Sequence, residues 1–403
     1  MSGRLPGALD ALFPESLRRT LVELRRDLHE HPELSGREER TAEVLHAGLG
    51  ALKPIRLERV AGTGLVARLR GQDSGLAPVA VRGDTDALPI TENTGLPFAS
   101  RTAGVMHACG HDVHAAWAVG AAYLLTARPA PGDVLIVLQP AEETGRGALG
   151  VLESGALDGV AAIFGAHVDR RFTVGQIVAQ AGPLAASADS FEIALIGGGG
   201  HGARPHEAAD LIVGVGALIG ALQTIVSRRL NPAAPAVVSI GSVHAGSAPN
   251  VLPDRATLAG TLRAVDSDTR QLLVHEVRRI AESLAAVYGL RCEVSVELGP
   301  PPIVNPPEPV EWARRAAAAL LGEEAIVPLG SLNMGGEDFA SYLERIPGCF
   351  LRIGAREPGG EPIAAHSPRF YAAEESIFVG AAVLAETARV ASAAVSGERG
   401  SAS

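Results

Sequence analysis

The sequence predicts an α/β protein in which an open, mostly parallel sheet carries helices on both faces and is interrupted by a smaller, inserted α+β domain. Two observations lead to this fold class. Short apolar runs alternate with helix-length segments over residues 64–168, as is typical of parallel sheets. After Gly182 the predicted order changes to β-α-β-β-α-β, a unit that can form its own antiparallel sheet with two helices on one face.

The sheet domain begins with an amphipathic helix. Leu17, Leu21 and Leu28 recur at helical spacing, so we expect a helix that Ser16 caps and Pro32 ends. The other elements predicted for this domain are strands at 64–70, 78–83, 133–139, 160–168 and 349–354 and helices at 115–127 and 309–321. The tail after Ala391, rich in Ser, Ala and Gly, is expected to fray.

The inserted domain is expected to span residues 183–298, so that residues 1–182 and 299–403 supply the two parts of the sheet domain. A chain of 403 residues exceeds the roughly 250–300 residues at which a single core stops growing. The elements predicted within the insertion are strands at 190–196, 236–243, 256–265 and 291–298 and helices at 208–229 and 266–288.

Composition and charge exclude several classes of function. The net charge of −10 and the lack of any basic run argue against nucleic-acid binding. The longest apolar stretch, 211–226, is interrupted by glycines and is shorter than the roughly 20 residues that cross a bilayer. The segment MSGRLPGALDALFPESLRR lacks the apolar core of a secretory signal, and three widely spaced cysteines favour reduced thiols. We therefore expect a cytoplasmic protein that contacts neither nucleic acid nor membranes.

The segment HACGHDVH, residues 107–114, concentrates four potential metal ligands in eight positions, namely His107, Cys109, His111 and His114. Gly110 allows the tight turn that would aim Cys109 and His111 at one ion. Other chemically active residues follow the predicted strands: Asp84, Asp86, Glu142, Glu143, His167 and His366. Because ligands gather at the carboxyl ends of strands in open α/β sheets, these residues should meet at one edge of the sheet.

A thiolate, imidazoles and carboxylates together suit Zn²⁺, or Mn²⁺ or Co²⁺ where oxygen donors are more numerous. The candidate ligands exceed what one catalytic ion needs, so two divalent ions about 3.5–4 Å apart are expected. Pro140 breaks the strand before Glu142 and Glu143, so both can reach the same site. One glutamate can then bind metal while the other accepts a proton from water.

The run GGGGHG, residues 197–202, formally matches a dinucleotide-binding pattern between a strand and a helix. The acidic residue that such a site needs about 20 residues further on is missing, because no Asp or Glu occurs between Asp210 and Asp254. A tight turn that presents His201 is the alternative interpretation of this run.

These motifs together resemble the amidohydrolases that include hippurate hydrolase, N-acyl-amino-acid amidohydrolases and indole-acetyl-amino-acid hydrolases, a branch of the co-catalytic aminoacylase and carboxypeptidase metallohydrolases. The resemblance runs from about Leu24 to Leu384. The motifs that carry it are RRDLHEHPEL (25–34), RGDTDALPI (82–90), MHACGHD (106–112), QPAEE (139–143), AHVD (166–169), GGHGARPH (199–206), NVLPD (250–254), GTLR (260–263), GGEDFA (335–340) and AHSPRF (365–370).

The resemblance implies roles for ten residues. The implied metal ligands are Cys109, His111, Glu143, His167 and His366, with Cys109 bridging two ions. The implied catalytic groups are Glu142 as general base, His201 as the donor to the tetrahedral oxyanion, and Asp86 as an orienting acid. Asn250 and Arg263 resemble residues that hold the substrate carboxylate. The resemblance also implies that the insertion is a dimerisation or lid domain, that the protein is a homodimer or a dimer-based oligomer, and that in dimeric relatives the histidine comes from the partner subunit.

The sequence departs from this branch at three positions. Gly83 and Thr85 stand where Ala and Met are more common, and Asp84 stands where the wider family has a ligating histidine, which puts a ligand role for Asp84 in doubt. His107 and His114 are interpreted as supporting residues. The expected reaction is hydrolysis of the amide bond of N-acetyl, N-benzoyl or similar N-acyl amino acids. A dipeptidase or carboxypeptidase with the same two-metal centre is the alternative, and a non-catalytic metal- or ligand-binding relative is a more distant one.

Overall fold

The computed structural model describes residues 8–401, with side chains described over 8–397. Nine α-helices occur within this range. They are α1 (Glu15–Glu30), α2 (Glu39–Gly50), α3 (His111–Ala127), α4 (Gly147–Glu153), α5 (Leu211–Thr224), α6 (Ser267–Val287), α7 (Pro307–Leu321), α8 (Ala340–Leu343) and α9 (Glu375–Ser401).

Fifteen strands lie in the same described range. They are β1 (Arg56–Val60), β2 (Gly64–Leu69), β3 (Val79–Asp84), β4 (Val134–Gln139), β5 (Ala162–Thr173), β6 (Ile177–Val178), β7 (Gly182–Ala185), β8 (Asp189–Ile196), β9 (Gly200–His201), β10 (Ala236–Ala245), β11 (Val251–Leu252), β12 (Arg255–Ala264), β13 (Arg291–Glu297), β14 (Ile303–Asn305) and β15 (Gly348–Arg356).

The chain divides into two compact units, and the first comprises the chain up to Gly182, Asn305–Ser331 and the chain from Asp338 onward. Its seven-stranded sheet has the order β1-β2-β4-β3-β5-β15-β6. The four central strands are parallel, whereas β1, β2 and β6 pair antiparallel at the two sides. The predicted open, mostly parallel α/β sheet is therefore confirmed, with antiparallel strands at both edges.

Helices α3 and α9 form the centre of the first unit's core. Helix α3 is buried around most of its circumference, and Trp117 is fully buried. Helix α9 packs on α3 and α7 and continues to Ser401, where the sequence had predicted a frayed tail after Ala391. The many alanines of this segment favour a helix, because alanine is the best helix former. They also explain why the sequence did not predict the helix, because an Ala-rich segment has no amphipathic period.

The first helix begins differently from the prediction. Pro14 precedes α1 and no side chain caps it, so Ser16 lies inside the helix, where its backbone oxygen accepts a hydrogen bond from the Thr20 hydroxyl. The prediction that Ser16 caps this helix was wrong. Because proline fixes φ near the helical value and lacks a backbone N–H, Pro14 already marks the start of the helix.

The second unit comprises Pro183–Val304 and Leu332–Glu337. Its four strands are in the order β10-β12-β8-β13, with every neighbouring pair antiparallel. Helices α5 and α6 bury their apolar side chains, including Leu218 and Val277, in a separate core with this sheet. The predicted β-α-β-β-α-β unit is confirmed. Strands β9 and β11 form an additional two-stranded ribbon.

Two helical segments are long and apolar enough to cross a membrane by length and composition. In Glu375–Gly397, 72% of the most apolar window is buried inside the fold, and in Leu211–Arg229 the buried share is 33%. The first belongs to α9, the core helix of the first unit. The second joins α5 to a π-helical turn, Ile225–Arg229, and packs Leu211, Leu218 and Leu222 into the core of the second unit. The first segment is thus a core helix, and the second contributes one apolar face to the core of the second unit.

The contact between α9 and α3 predicts a large effect for a small substitution. A methyl group added at Gly380 would lie 2.2 Å from Cε3 of the buried Trp117. We expect Gly380→Ala to destabilise the protein by about 1–3 kcal/mol through overpacking. Gly48→Ala in α2 is the matched control, because a methyl group there meets nothing within 4 Å and should stabilise by up to about 1 kcal/mol. Urea unfolding of both variants measures the difference, and equal unfolding free energies would contradict it.

Candidate metal centre and active site

The active-site candidates of the first unit lie at the carboxyl ends of its parallel strands. Strand β3 ends at Asp84, with Asp86 two residues further on, and β4 ends just before the turn that carries Glu142 and Glu143. His167 lies within β5. Because these strands run in the same direction, their carboxyl ends share one edge of the sheet.

The turn before α3 places Cys109 and His111 on either side of one residue. Gly110 has a φ of 93°, in the left-handed region that favours glycine. A Cβ atom at this position would lie 2.5 Å from Cγ2 of Val168. The close approach of β5 therefore requires glycine, and this glycine brings the thiol and the imidazole to the same site.

Two groups of potential ligands share Cys109. Ligand atoms of Cys109, His111 and His167 lie within 4.8 Å of one another, and so do those of Cys109, Glu143 and His366. The Cys109 Sγ atom is 3.2 Å from Nε2 of His167, and Oε1 of Glu143 is 3.4 Å from Nε2 of His366. The structure thus brings together all five residues that the resemblance implied as metal ligands.

The hydrogen bonds around these residues leave ligand atoms available. Nδ1 of His167 lies 2.7 Å from the backbone oxygen of Val168 and so donates to it, which leaves the lone pair of Nε2 facing Cys109. Nδ1 of His111 lies 3.1 Å from Asp86. Within the described residues, Nε2 of His111 and Oε1 of Glu143 are buried without a hydrogen-bond partner. Buried polar atoms without partners are costly, and a cation bound here would satisfy both.

The electrostatics of the site also favour a cation. Burial raises the pKa of the Cys109 thiol to about 12, so the thiolate forms at neutral pH only where positive charge stabilises it. Burial alone would lower the pKa of His111, yet the carboxylates of Asp84 and Asp86 raise it well above its usual value. Burial lowers the pKa of His167 well below its usual value, which keeps this imidazole neutral and able to bind metal.

Three neighbouring candidates have other roles. His114 uses both ring nitrogens: Nδ1 lies 2.6 Å from Asp84, and Nε2 accepts the backbone N–H of Val168. Asp84 also pairs with the buried Arg82. His107 is buried with its pKa lowered to about 4 by that burial, and no group of clustered ligand atoms found among the described residues includes it. Asp84 and His114 form a further group of clustered ligand atoms with His111, but their bonds to Arg82, Val168 and each other already occupy them, so they, like His107, support the site.

Glu142 and Glu143 both approach the site from the turn after β4. Oε2 of Glu142 is 3.9 Å and Oε1 of Glu143 is 3.8 Å from Nε2 of His111. The backbone N–H of Asp338 donates to Oε1 of Glu142 at 3.3 Å, which directs the other oxygen of Glu142 toward His111. The two carboxylates are therefore held differently although they are adjacent in the chain.

Residues that sequence reasoning missed support these acids. Ser35 donates its hydroxyl to Asp86 at 2.7 Å, and the same oxygen of Asp86 accepts the backbone N–H of Glu143 at 3.0 Å. Asp338 lies in GGEDFA, one of the motifs that carry the family resemblance, so the sequence contained a signal that this residue belongs to the site. Ser35 immediately follows the motif at 25–34, and its partner lies 51 positions along the chain, a separation that no local pattern reveals.

The other three predicted site residues belong to the second unit. His201 on β9 pairs with Val251 on β11, and the backbone oxygen of Asn250 accepts the N–H of Gly202, so His201 and Asn250 are neighbours on one exposed ribbon. Arg263 lies near the far end of β12 and donates to the backbone oxygens of Asp189 and Leu262. The structure places His201 beside Asn250 but does not bring Arg263 to them.

Comparison with known proteins finds relatives that are named as hydrolases of amide or peptide bonds. A sequence model of Peptidase family M20/M25/M40 matches residues 80–390. An N-acetylcysteine deacetylase of Bacillus subtilis is 43% identical over 372 residues, covering 91% of this chain and 96% of the relative. Thermostable carboxypeptidase 1 of Saccharolobus solfataricus is 36% identical over 369 residues, covering 90% and 92%.

A solved structure from Bacillus subtilis shares both the fold and much of the sequence. It is described as a dinuclear metal binding peptidase from the M20 family, and it matches with a TM-score of 0.82 and 39% identity, covering 94% of this chain and 99% of the relative. The similarity therefore extends over both units and is not limited to the residues around Cys109.

The hydrogen bond from His111 to Asp86 predicts an effect on metal binding. We expect Asp86→Asn to weaken metal binding about 10- to 100-fold, because an acid that orients a ligating histidine contributes about that much to metal affinity. Titration of apo-protein with Zn²⁺ against a chromophoric chelator measures this change. Asp158→Asn, at an exposed carboxylate, is the control and should bind as the wild type does. Unchanged affinity in Asp86→Asn would show that Asp86 does not orient His111.

Proposed function

The chain belongs to peptidase family M20/M25/M40, and we propose that it is a metal-dependent amidohydrolase that cleaves N-acyl amino acids into a carboxylic acid and a free amino acid. One observation carries this proposal: two groups of potential ligands share the buried Cys109 beside two differently held glutamates. The similarity to an N-acetylcysteine deacetylase over nearly the whole chain supports an acyl group on an amino acid as the substrate.

The donor set indicates which ions the site would hold. Cys109, His111, Glu143, His167 and His366 offer one thiolate sulfur, three imidazole nitrogens and a carboxylate, which suit Zn²⁺ and also Mn²⁺ or Co²⁺. The sharing of Cys109 by both ligand groups supports two ions, which these five residues would hold together. Such ions, when bound, polarise a carbonyl oxygen and lower the pKa of water.

Glu142 is proposed to move the proton during hydrolysis. Its Oε1 accepts the N–H of Asp338, so Oε2 can take a proton from the attacking water. The water oxygen then bonds to the acyl carbon, the carbon–nitrogen bond breaks, and Glu142 returns the proton to the leaving amine. Asp86 holds the imidazole of His111 in place through Nδ1 during these steps.

His201, Asn250 and Arg263 are proposed to bind the reacting amide and the substrate carboxylate. Arg263 offers the planar fork of donors that a carboxylate fits, and His201 can donate to the oxyanion that forms on the acyl oxygen. In one copy of the chain Arg263 lies away from His201 and Asn250, which are neighbours on one ribbon. Arg255, at the start of β12, pairs with Ile196, next to the ribbon that carries His201. Arg263 lies eight residues further along the same strand. At the rise of a β-strand, the distance from Arg255 to Arg263 is about 26 Å.

A single N-acyl amino acid cannot span that separation. We therefore propose a homodimer in which His201 and Asn250 of one protomer act on the substrate bound by its partner. The exposed apolar side chains Ile212, Val213 and Val243 of the second unit offer a surface for such pairing. We also propose that the enzyme acts in the cytoplasm on small-molecule substrates.

A second candidate function uses the same centre on a peptide bond. The similarity to a thermostable carboxypeptidase favours it, because a carboxypeptidase also recognises a free carboxylate next to the scissile amide. The two functions differ in whether the acyl side is a simple acid or an aminoacyl group.

A substrate panel tests the proposed function. Apo-protein reconstituted with Zn²⁺, Mn²⁺ or Co²⁺ should hydrolyse N-acetyl and N-benzoyl amino acids with a higher kcat/KM than dipeptides. Glu142→Gln should lower kcat by about 10²–10⁴-fold, the range typical of a lost general base, and should still bind metal. Faster cleavage of dipeptides would establish the second candidate, and normal turnover by Glu142→Gln would refute its role as the base.

Hybrid dimers test whether His201 acts across the subunit interface. The Glu142→Gln and His201→Ala homodimers should both be nearly inactive. A hybrid of these two chains should recover about half of the wild-type activity per dimer, because one of its two sites keeps both groups. The reciprocal control pairs wild-type chain with the double variant, and it should be nearly inactive. Activity in the control hybrid and none in the first would show that His201 acts within its own chain.

A further inference from the structure

The turn that carries Glu142 and Glu143 begins at a strained residue. Ala141 has φ 54° and ψ 38°, in the left-handed region that disfavours residues with a Cβ atom. The strain falls immediately before the two acids, so the conformation of Ala141 sets the direction in which they leave the sheet. A contact that holds Ala141 in this conformation would also hold both glutamates.

Glu38 makes such a contact. Its side chain is fully buried, and its Oε1 atom accepts the backbone N–H of Ala141 at 2.9 Å. The same oxygen accepts the N–H of Gly36 at 2.9 Å, and Oε2 accepts the hydroxyl of Thr63 at 2.7 Å. No ion pair of Glu38 occurs among the described side chains, so three neutral donors stabilise this buried carboxylate.

The loop that carries Glu38 supports the same turn at a second point. Ser35 donates to Asp86, and Asp86 accepts the N–H of Glu143. The loop at 33–38 therefore holds the turn through Ala141 on one side of Glu142 and through Glu143 on the other. Both contacts reach across more than fifty positions of sequence, so neither serves the local structure of the loop.

We infer that Glu38 is a positioning residue that holds Ala141 in its left-handed conformation and thereby aims the carboxylates of Glu142 and Glu143 at the reaction site. This inference rests on the proposed function for the roles of the two glutamates. The contact of Glu38 itself is with the backbone of the turn, so its effect reaches the reaction through Glu142 and Glu143.

A nearby glutamate provides a matched control. The carboxylate of Glu33 accepts the backbone N–H groups of Arg40 and Thr41 at the start of α2. It belongs to the same loop as Glu38 and accepts two backbone donors, yet its side chain makes no hydrogen bond to the turn at Ala141 among those described. Glu33→Ala should therefore lower the unfolding temperature and leave kcat within about twofold of wild type, as expected for loss of a helix cap alone.

The test compares three substitutions at the contact. Glu38→Ala should lower kcat about 10- to 100-fold with little change in KM, since small misplacements of a reacting group have effects of this size. Glu38→Gln should stay within about threefold of wild type, because an amide oxygen can accept from Ala141 while the amide nitrogen donates to Thr63. Glu38→Ala/Ala141→Gly should recover part of the lost kcat, because glycine adopts the left-handed conformation without strain.

A second measurement does not depend on turnover. Calorimetric titration of apo-protein with Zn²⁺ should show weaker binding of one ion in Glu38→Ala and near-normal binding in Glu38→Gln, since Glu143 lies on the same turn. If the wild type hydrolyses no N-acyl amino acid, the proposed function fails, yet the titration still tests the inference. The inference is overturned if Glu38→Ala lowers stability as Glu33→Ala does but keeps wild-type kcat and wild-type Zn²⁺ binding.

Discussion

The carboxylate of Asp86 is the point on which the candidate site depends. It accepts the hydroxyl of Ser35 and the backbone N–H of Glu143, and its other oxygen meets Nδ1 of His111. Three segments far apart in sequence therefore converge on one buried acid. Hydrogen bonds to Asp86 oppose the cost of its burial and lower its pKa, so it stays ionised and keeps the proton of His111 on Nδ1. Nε2 of His111 consequently faces the site, where a bound cation would take the place of its proton, with Glu143 held next to it.

A second buried acid also fixes a histidine through Nδ1, and this explains why HACGHDVH contains more histidines than a metal site needs. Nδ1 of His114 donates to Asp84, whose carboxylate is also paired with the buried Arg82. Burial makes the ionised form of Asp84 less favourable, but the charge of Arg82 outweighs this effect and lowers the pKa of Asp84 well below its usual value. An acid committed to a guanidinium and an imidazole is a poor metal ligand. The aspartate at the position of a family histidine thus belongs with the supporting residues, whereas the candidate ligands Cys109 and His111 directly flank Gly110.

Sequence alone could predict the parts of this protein that depend on local pattern. The buried strands β3 and β4 were predicted within one residue of their observed bounds, since continuous apolar runs mark strands buried on both faces. The gathering of the charged residues that follow them was predicted from the rule for strand ends. Helix α9 and the support from Glu38 were not predicted. The first lacks amphipathic spacing, and the second is a contact between positions 38 and 141 that no period in the sequence encodes. The start of α1 was misplaced because Ser16 is a common cap, whereas Pro14 had already fixed the backbone.

The strand geometry of the second unit separates two of the predicted substrate-binding residues, His201 and Arg263. Strand β12 runs the length of the sheet, with Arg255 opposite Ile196 at one end and Leu262 opposite Asp189 at the other. His201 extends from the first end and Arg263 lies at the second. If His201 and Arg263 bind one small substrate, as proposed above, their placement at opposite ends of one sheet favours a pair of chains over a single copy. In the proposed homodimer the two residues come from different copies, and a twofold axis would make the two sites equivalent. The exposed apolar side chains of α5 and β10 would then be buried by the same pairing that completes the two sites.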